Sequence, residues 1–133
     1  MKIDYFNPEG LPKPRGYTQA VSVSGAHKTI YVGGQDAVNE KGEVVGKGNL
    51  KMQTTQVLSN IERALEAAGA KLENVVKLNV YVVAGQNPVE GFAAFQERWG
   101  GKSNPPVITV LFVVGLGNPE WLVEVDAVAV LPL

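Results

Sequence analysis

Residues Asn104 to Val130 read NPPVITVLFVVGLGNPEWLVEVDAVAV, two strand patterns that meet at a Gly-rich turn, Gly115-Leu116-Gly117-Asn118-Pro119. Val107 to Val114 is a nearly unbroken apolar run, the pattern of a strand covered on both faces. Trp121 to Val130 is rich in Val but carries two carboxylates, Glu124 and Asp126. Residues two apart share one face of a strand, so the pair projects together. If that face is buried, the pair needs hydrogen bonds, an ionic partner or a proton. If the strand lies at an edge, the same face is simply wet. These residues alone leave both readings open.

Outward from this stretch the chain alternates strands and helices. Asn7 to Gly16 (NPEGLPKPRG) reads as an ordered loop or arm. Thr18 to Ser24 and Thr29 to Val32 read as strands around the turn Ser24-Gly25-Ala26-His27-Lys28, which suggests a hairpin. A short strand at Ile3 to Phe6 is also compatible with the pattern. Gly33-Gly34-Gln35 follows, and its glycines suggest a bulge or a close backbone approach to a ligand. Leu50 to Ala68 is the best helix, with Val57, Ile61, Ala64, Leu65 and Ala68 on one stripe and Gly69 placed as a left-handed cap. Val75 to Val83 reads as a strand. Asn87 and Pro88 start a second helix, Glu90 completes a capping-box pattern, and Phe92, Phe95 and Trp99 form its apolar stripe before Gly100-Gly101.

This order gives an α+β fold: one mixed sheet with two helices packed on one face. Two helices cannot cover both faces of a sheet whose last strands are apolar on both sides. A bare apolar sheet would be a large exposed patch, so a further copy of the chain is expected to cover it.

Composition narrows the functional classes. The 133 residues suit a single domain over 1–133, and 45% of them are hydrophobic, enough for a sizeable core. No apolar run reaches the ~20 residues of a membrane helix, and Met1-Lys2-Ile3-Asp4-Tyr5 begins no signal segment. The absence of Cys rules out disulfides and thiolate chemistry, and with these features it fits a cytoplasmic protein. The formal net charge of −1, with no Lys/Arg cluster, argues against nucleic acid as a partner.

His27 is the sole histidine and reads as a solvated turn residue, so neither a Ser-His-Asp site nor a multi-His metal site is expected. Gly115-Leu116-Gly117 lacks the third glycine of a dinucleotide fingerprint. No cofactor or metal is therefore expected. What remains is Tyr17, Gln19, the Gly33-Gly34-Gln35 backbone and Glu124, a set suited to binding a small polar molecule and positioning a water. The structural alternatives are a packed Tyr17, a Gln35 that bonds at a strand end, and a Glu124 on a wet edge.

Nearly the whole chain resembles the RidA/YjgF family, also called the L-PSP endoribonuclease family. Gly16-Tyr17-Thr18-Gln19-Ala20 is similar to its Y-x-Q-A, and Ile30 to Gln35 to its V-x-S-G-Q. Gln56 to Gly69, Val76 to Val82, Pro105 to Val110 and Leu122 to Ala129 match further family patterns in order and spacing. The resemblance implies a chorismate-mutase-like fold and a homotrimer with ligand clefts between subunits. It also implies cofactor-free hydrolysis of reactive 2-imino acids (2-iminobutanoate, 2-iminopropanoate) to 2-keto acids and ammonia. In that pattern an Arg in P-A-R holds the substrate carboxylate, the Glu of L-V-E, here Glu124, helps to place the water, and the Tyr, here Tyr17, lines the cleft.

Three segments depart from the pattern. The Arg position is Val107, the Ser before G-Q is Gly33, and N-x-x-Y of the second helix becomes Phe92-Ala93-Ala94-Phe95. An isopropyl group cannot replace a guanidinium fork. The expected protein is a RidA-like binder of a small metabolite, with Tyr17, Gly33, Gly34, Gln35 and Val107 lining the cleft and Glu124 as its catalytic carboxylate. Standard 2-imino acid deamination is not expected of it. The alternatives are a deaminase that takes its cation from Arg15 and, on the family's older name alone, an endoribonuclease. Loss of the Arg is also expected to raise the pKa of Glu124, with Val107 and Phe92 nearby to desolvate it.

Overall fold

The first long helix begins where Asn49 accepts a hydrogen bond from the Met52 N–H at 2.9 Å, satisfying a donor the helix cannot use itself. A computed structural model describes residues 1–101 and 104–133 of the chain. In it α1 spans Leu50–Ala67, and Gly69, at φ 83°, stands just past its end. Val57, Ile61 and Leu65 are buried along α1, and Ala64 and Ala68 pack partly buried beside them. The second helix, α2 (Pro88–Trp99), is capped by Asn87, which accepts from the Val89 N–H at 3.1 Å, and ends at Gly100, φ 60°.

Of the expected stripe on α2, Phe95 and Trp99 stack at 5.0 Å and Trp99 is buried, but Phe92 stays 50% exposed. The cause is that α2 packs on α1 rather than flat on the sheet, so Phe92 overhangs a cleft.

Four strands form a mixed sheet in the order β3 (His27–Gln35), β6 (Val123–Pro132), β4 (Val75–Val83), β5 (Val107–Val113), numbered along the chain. β6 runs antiparallel to both its neighbours, and β4 and β5 are parallel, joined through α2. Val123, Val125, Ala127 and Ala129 of β6 are buried together with Ile30, Val32, Leu78 and Val82 against α1. Each fully buried Val, Leu or Ile contributes about 1.5–3 kcal/mol.

The expected hairpin between the second and third strands does not form. β2 (Ala20–Ser24) pairs antiparallel with β1 (Lys2–Phe6) in a separate ribbon, from Lys2 opposite Ser24 to Phe6 opposite Ala20. β1 offers β2 a full-length ladder, and β3 has its own in β6.

β6 is an inner strand, so the wet-edge reading of Glu124 and Asp126 fails. The strand starts at Val123 rather than Trp121 because the preceding donors are used elsewhere. The Trp121 N–H goes to Asn118 O, and the Leu122 N–H to the side chain of Gln53. The edges are β3 and, at the other side, the apolar β5. Val110, Leu111 and Phe112 are half exposed and Val114 fully so, so the chain itself does not cover both faces of this strand. No helix among the described residues is long and apolar enough to cross a membrane.

Candidate functional site

Between Val32 and Gln35 the ladder to β6 slips, which places Gly33 and Gly34 in a bulge. A Cβ on Gly34 would stand 2.7 Å from Glu124 Oε2, so a larger residue there would have to displace that carboxylate. The close approach expected at this glycine pair is therefore made to Glu124 itself. Gly33 is exposed and has open space around it, while Gln35 folds its Nε2 back onto Gly33 O at 3.2 Å.

The next residue, Asp36, is 9% exposed. Burial, and then the hydrogen bond and negative charge of Glu124, push its pKa up to about 7. No sequence motif singles out Asp36. Asp126 shares the face with Glu124. It accepts from Asn79 Nδ2 at 2.9 Å and from the Tyr81 hydroxyl at 3.3 Å. The negative charge of Asp126, ahead of other causes, raises the pKa of Tyr81.

The other candidate residues lie elsewhere. Arg15, Gly16 and Tyr17 line an apolar cleft of about 270 Å³ between the helices and the sheet, together with Phe92, Phe95 and Val110. The Thr18 N–H and hydroxyl fix this arm to the carbonyls of Pro106 and Pro105, just before Val107. Gln19 is committed to the arm: its N–H bonds Asn7 Oδ1 at 3.0 Å and its Nε2 donates to Pro12 O at 2.8 Å.

Val107 stands opposite Lys77, while Glu124 stands opposite Tyr81, which itself faces Leu111. Val107 and Glu124 therefore share the helix-free face but lie four residues apart in register, about 13 Å along the strands, with β4 between them. Within one chain Val107 therefore does not lie beside Glu124. The candidate residues form two groups: Gly33, Gly34, Gln35 and Glu124 at one end, and Arg15, Tyr17 and Val107 at the other. Among the described residues no three His, Cys, Asp or Glu side chains converge as metal ligands.

Sequence reasoning also passed over Gln53, which is fully buried. Its Nε2 donates to Gly46 O at 3.2 Å and to Glu120 O at 3.0 Å, and its Oε1 accepts from the Leu122 N–H at 2.8 Å. This clips α1 to the turn that leads into β6. The signal available was its place between Leu50 and Val57 on an otherwise apolar stripe.

The family pattern described as Endoribonuclease L-PSP matches residues 11–131. A RutC family protein of Pyrococcus horikoshii is 37% identical over 126 residues, which cover 91% of this chain and 92% of that protein. A 2-iminobutanoate/2-iminopropanoate deaminase of Dermatophagoides farinae is 35% identical over 72 residues, 53% of this chain and 54% of that protein. Among solved structures, a Rid-family protein of unknown function from Yersinia pestis superposes with a TM-score of 0.86 at 34% identity, covering 98% of this chain and 100% of that one.

Proposed function

Because the chain belongs to the endoribonuclease L-PSP family, the RidA/YjgF proteins, we propose that it binds a small metabolite in clefts completed between copies of itself, without the standard 2-imino acid deaminase activity. The observation that carries this reading is the division of the site. Glu124 with Gly34, and Val107, lie at opposite ends of a sheet face that no helix covers, while the Tyr17 arm, tied to the chain just before Val107, lines the cleft on the helix side. One copy's Glu124 end set against another's Val107 end would join the two halves. The exposed Leu111 and Phe112 of β5 and Val114 just past its end supply apolar surface for such an association. A homotrimer is the assembly expected, and a mass of about 14 kDa by light scattering at micromolar protein would overturn it.

Val107 argues against the deaminase reaction, because nothing at that position can grip a carboxylate. Introducing Val107→Arg supplies the fork. A charged hydrogen bond is worth about 1.5–3 kcal/mol, so 2-imino acid hydrolysis should rise roughly ten- to a hundred-fold over the wild type. The assay generates 2-iminobutanoate in situ with a threonine dehydratase and follows release of the keto acid. A trimeric Val107→Arg that gains nothing would sink the reading.

A second reading has one observation in its favour. Arg15 lines the cleft beside Tyr17 and forms no ion pair among the described residues. Robust wild-type deamination that disappears in Arg15→Ala would establish it. An endoribonuclease has no such support, since the chain carries a net charge of −1 and a pI near 5.8.

A further inference from the structure

The cleft beneath α2 has a structural cause. α2 packs on α1 rather than on the sheet, so the helix-side residues of β4 and β5 are roofed only in part. α1 itself packs on β6 and β3, with Ile61 and Leu65 fully buried and off the wall of the cleft. Closely packed interiors leave few voids larger than a water molecule. The cleft, at about 270 Å³, is far above that. An apolar cavity of about 150 Å³ holds a benzene ring, so this one has room for a ring and a short chain.

Its wall is chemically one-sided. The polar side chains on it are Arg15, Tyr17 and Thr54, and the Thr54 hydroxyl already donates to Leu50 O at 2.8 Å. Water inside would find few partners. No carboxylate lines the cleft, and Arg15, an exposed residue on the arm, forms no ion pair among the described residues. The arm that carries it is seated on α2. Gly16 has φ 78°, and a Cβ there would stand 3.0 Å from Gln96 Nε2 and 3.3 Å from the Phe92 ring.

We propose that this helix-side cleft binds a monocarboxylate whose apolar body is about the size of a phenylalkyl group. The body lies between α1, α2 and the sheet, and the carboxylate meets the guanidinium of Arg15. The apolar wall disfavours a polar body, and the single cation selects an anionic head that its planar fork can grip. Phe92 and Phe95 offer ring surface to an aromatic body. The cleft lies on the opposite side of the sheet from Glu124 and Val107, so it is separate from the site completed between copies and does not depend on it.

The test is methyl NMR of the full-length protein titrated with 4-phenylbutanoate and, in parallel, with its neutral primary amide. The methyls of Leu58, Val80 and Val125 should shift saturably, while those of Val107 and Val128 on the other face stay in place. Arg15→Gln, at an exposed position, should weaken the acid roughly three- to ten-fold and leave the amide unchanged. Val110→Phe, which fills the cleft from a half-exposed position on β5, should abolish binding of both. The proposal is overturned by the absence of a saturable shift at the cleft methyls up to about 10 mM ligand, or by shifts confined to Val107 and Val128. It is equally overturned if Arg15→Gln binds the acid as tightly as the wild type, or loses acid and amide alike. If Val110→Phe does not fold, the Arg15→Gln comparison decides. A Val107→Arg variant that gains no deaminase activity sinks the reading of the other face and leaves this result standing.

Discussion

The two faces of β6 are finished to different degrees. Toward α1, Val123, Val125, Ala127 and Ala129 are buried, and the fully buried polar group beside them, Gln53, has its donors and acceptor bonded. Away from the helices, Glu124, Asp126 and Val128 are only partly buried. There Asp36 leaves a buried oxygen unpartnered, and β5 exposes Leu111. Both faces hold polar groups, so polarity is not what separates them. On the helix-covered face Gln53 is satisfied from within the chain, as a buried core polar group must be. The opposite face leaves both hydrogen-bonding capacity and apolar surface open, as a face that meets something else can.

The largest effect expected from this contrast is on the finished side. Ile61 is fully buried in α1, and Ile61→Ala should cost about 3–4 kcal/mol by chemical denaturation, through lost burial and a residual cavity. A loss below about 1 kcal/mol would mean that the helix layer is not the well-packed side, and the contrast would collapse.

Next comes the buried polar clip. Gln53→Ala leaves the Leu122 N–H and the Gly46 and Glu120 carbonyls without their partner, and it opens space under α1. About 2–3 kcal/mol is expected. Gln53→Glu should cost a similar amount, since a carboxylate cannot donate to the two carbonyls. A neutral result for both would show that water replaces the clip.

Much of this framework is legible in the residues. Val75 to Val83 was bounded by its flanks, and α1 by its stripe and Gly69, because both have strong periodicity and a terminating signal. The bulge at Gly33-Gly34 was legible because glycines have few other uses in a strand. Strand pairing was not. Nothing local in Ala20 to Ser24 says that its ladder runs to Lys2–Phe6 rather than to the strand that follows it. Nor does the apolar run of Val107–Val113 say whether this chain or another covers it, since the pattern reports only that burial is needed. The candidate site was legible in its parts, Glu124 and Gly34, but not in Asp36. A single Asp after a strand reads as a turn residue unless one knows that the bulge brings β6 against it.

The smallest effect is the most diagnostic of the unfinished face, because it has the opposite sign from the other two over part of the pH range. Asp36 has a pKa near 7 in the folded chain and close to 3.9 when unfolded. Below about pH 4 both states hold the proton, and the group leaves stability independent of pH. Between about 4 and 7 the native state keeps its proton while the unfolded chain releases it, so stability falls as pH rises and levels off above 7. A pair with a depressed carboxylate pKa would give the opposite slope. Asp36→Asn removes this titration while retaining a donor toward Glu124. Relative to the wild type it should gain roughly 2 kcal/mol between pH 5 and pH 8, an order-of-magnitude figure shared with Glu124. Urea unfolding of the two proteins at a series of pH values reads this directly. Parallel pH profiles would mean that Asp36 ionises as freely folded as unfolded. The face opposite the helices would then be as electrostatically settled as the face they cover, and its open hydrogen-bonding capacity would no longer distinguish it.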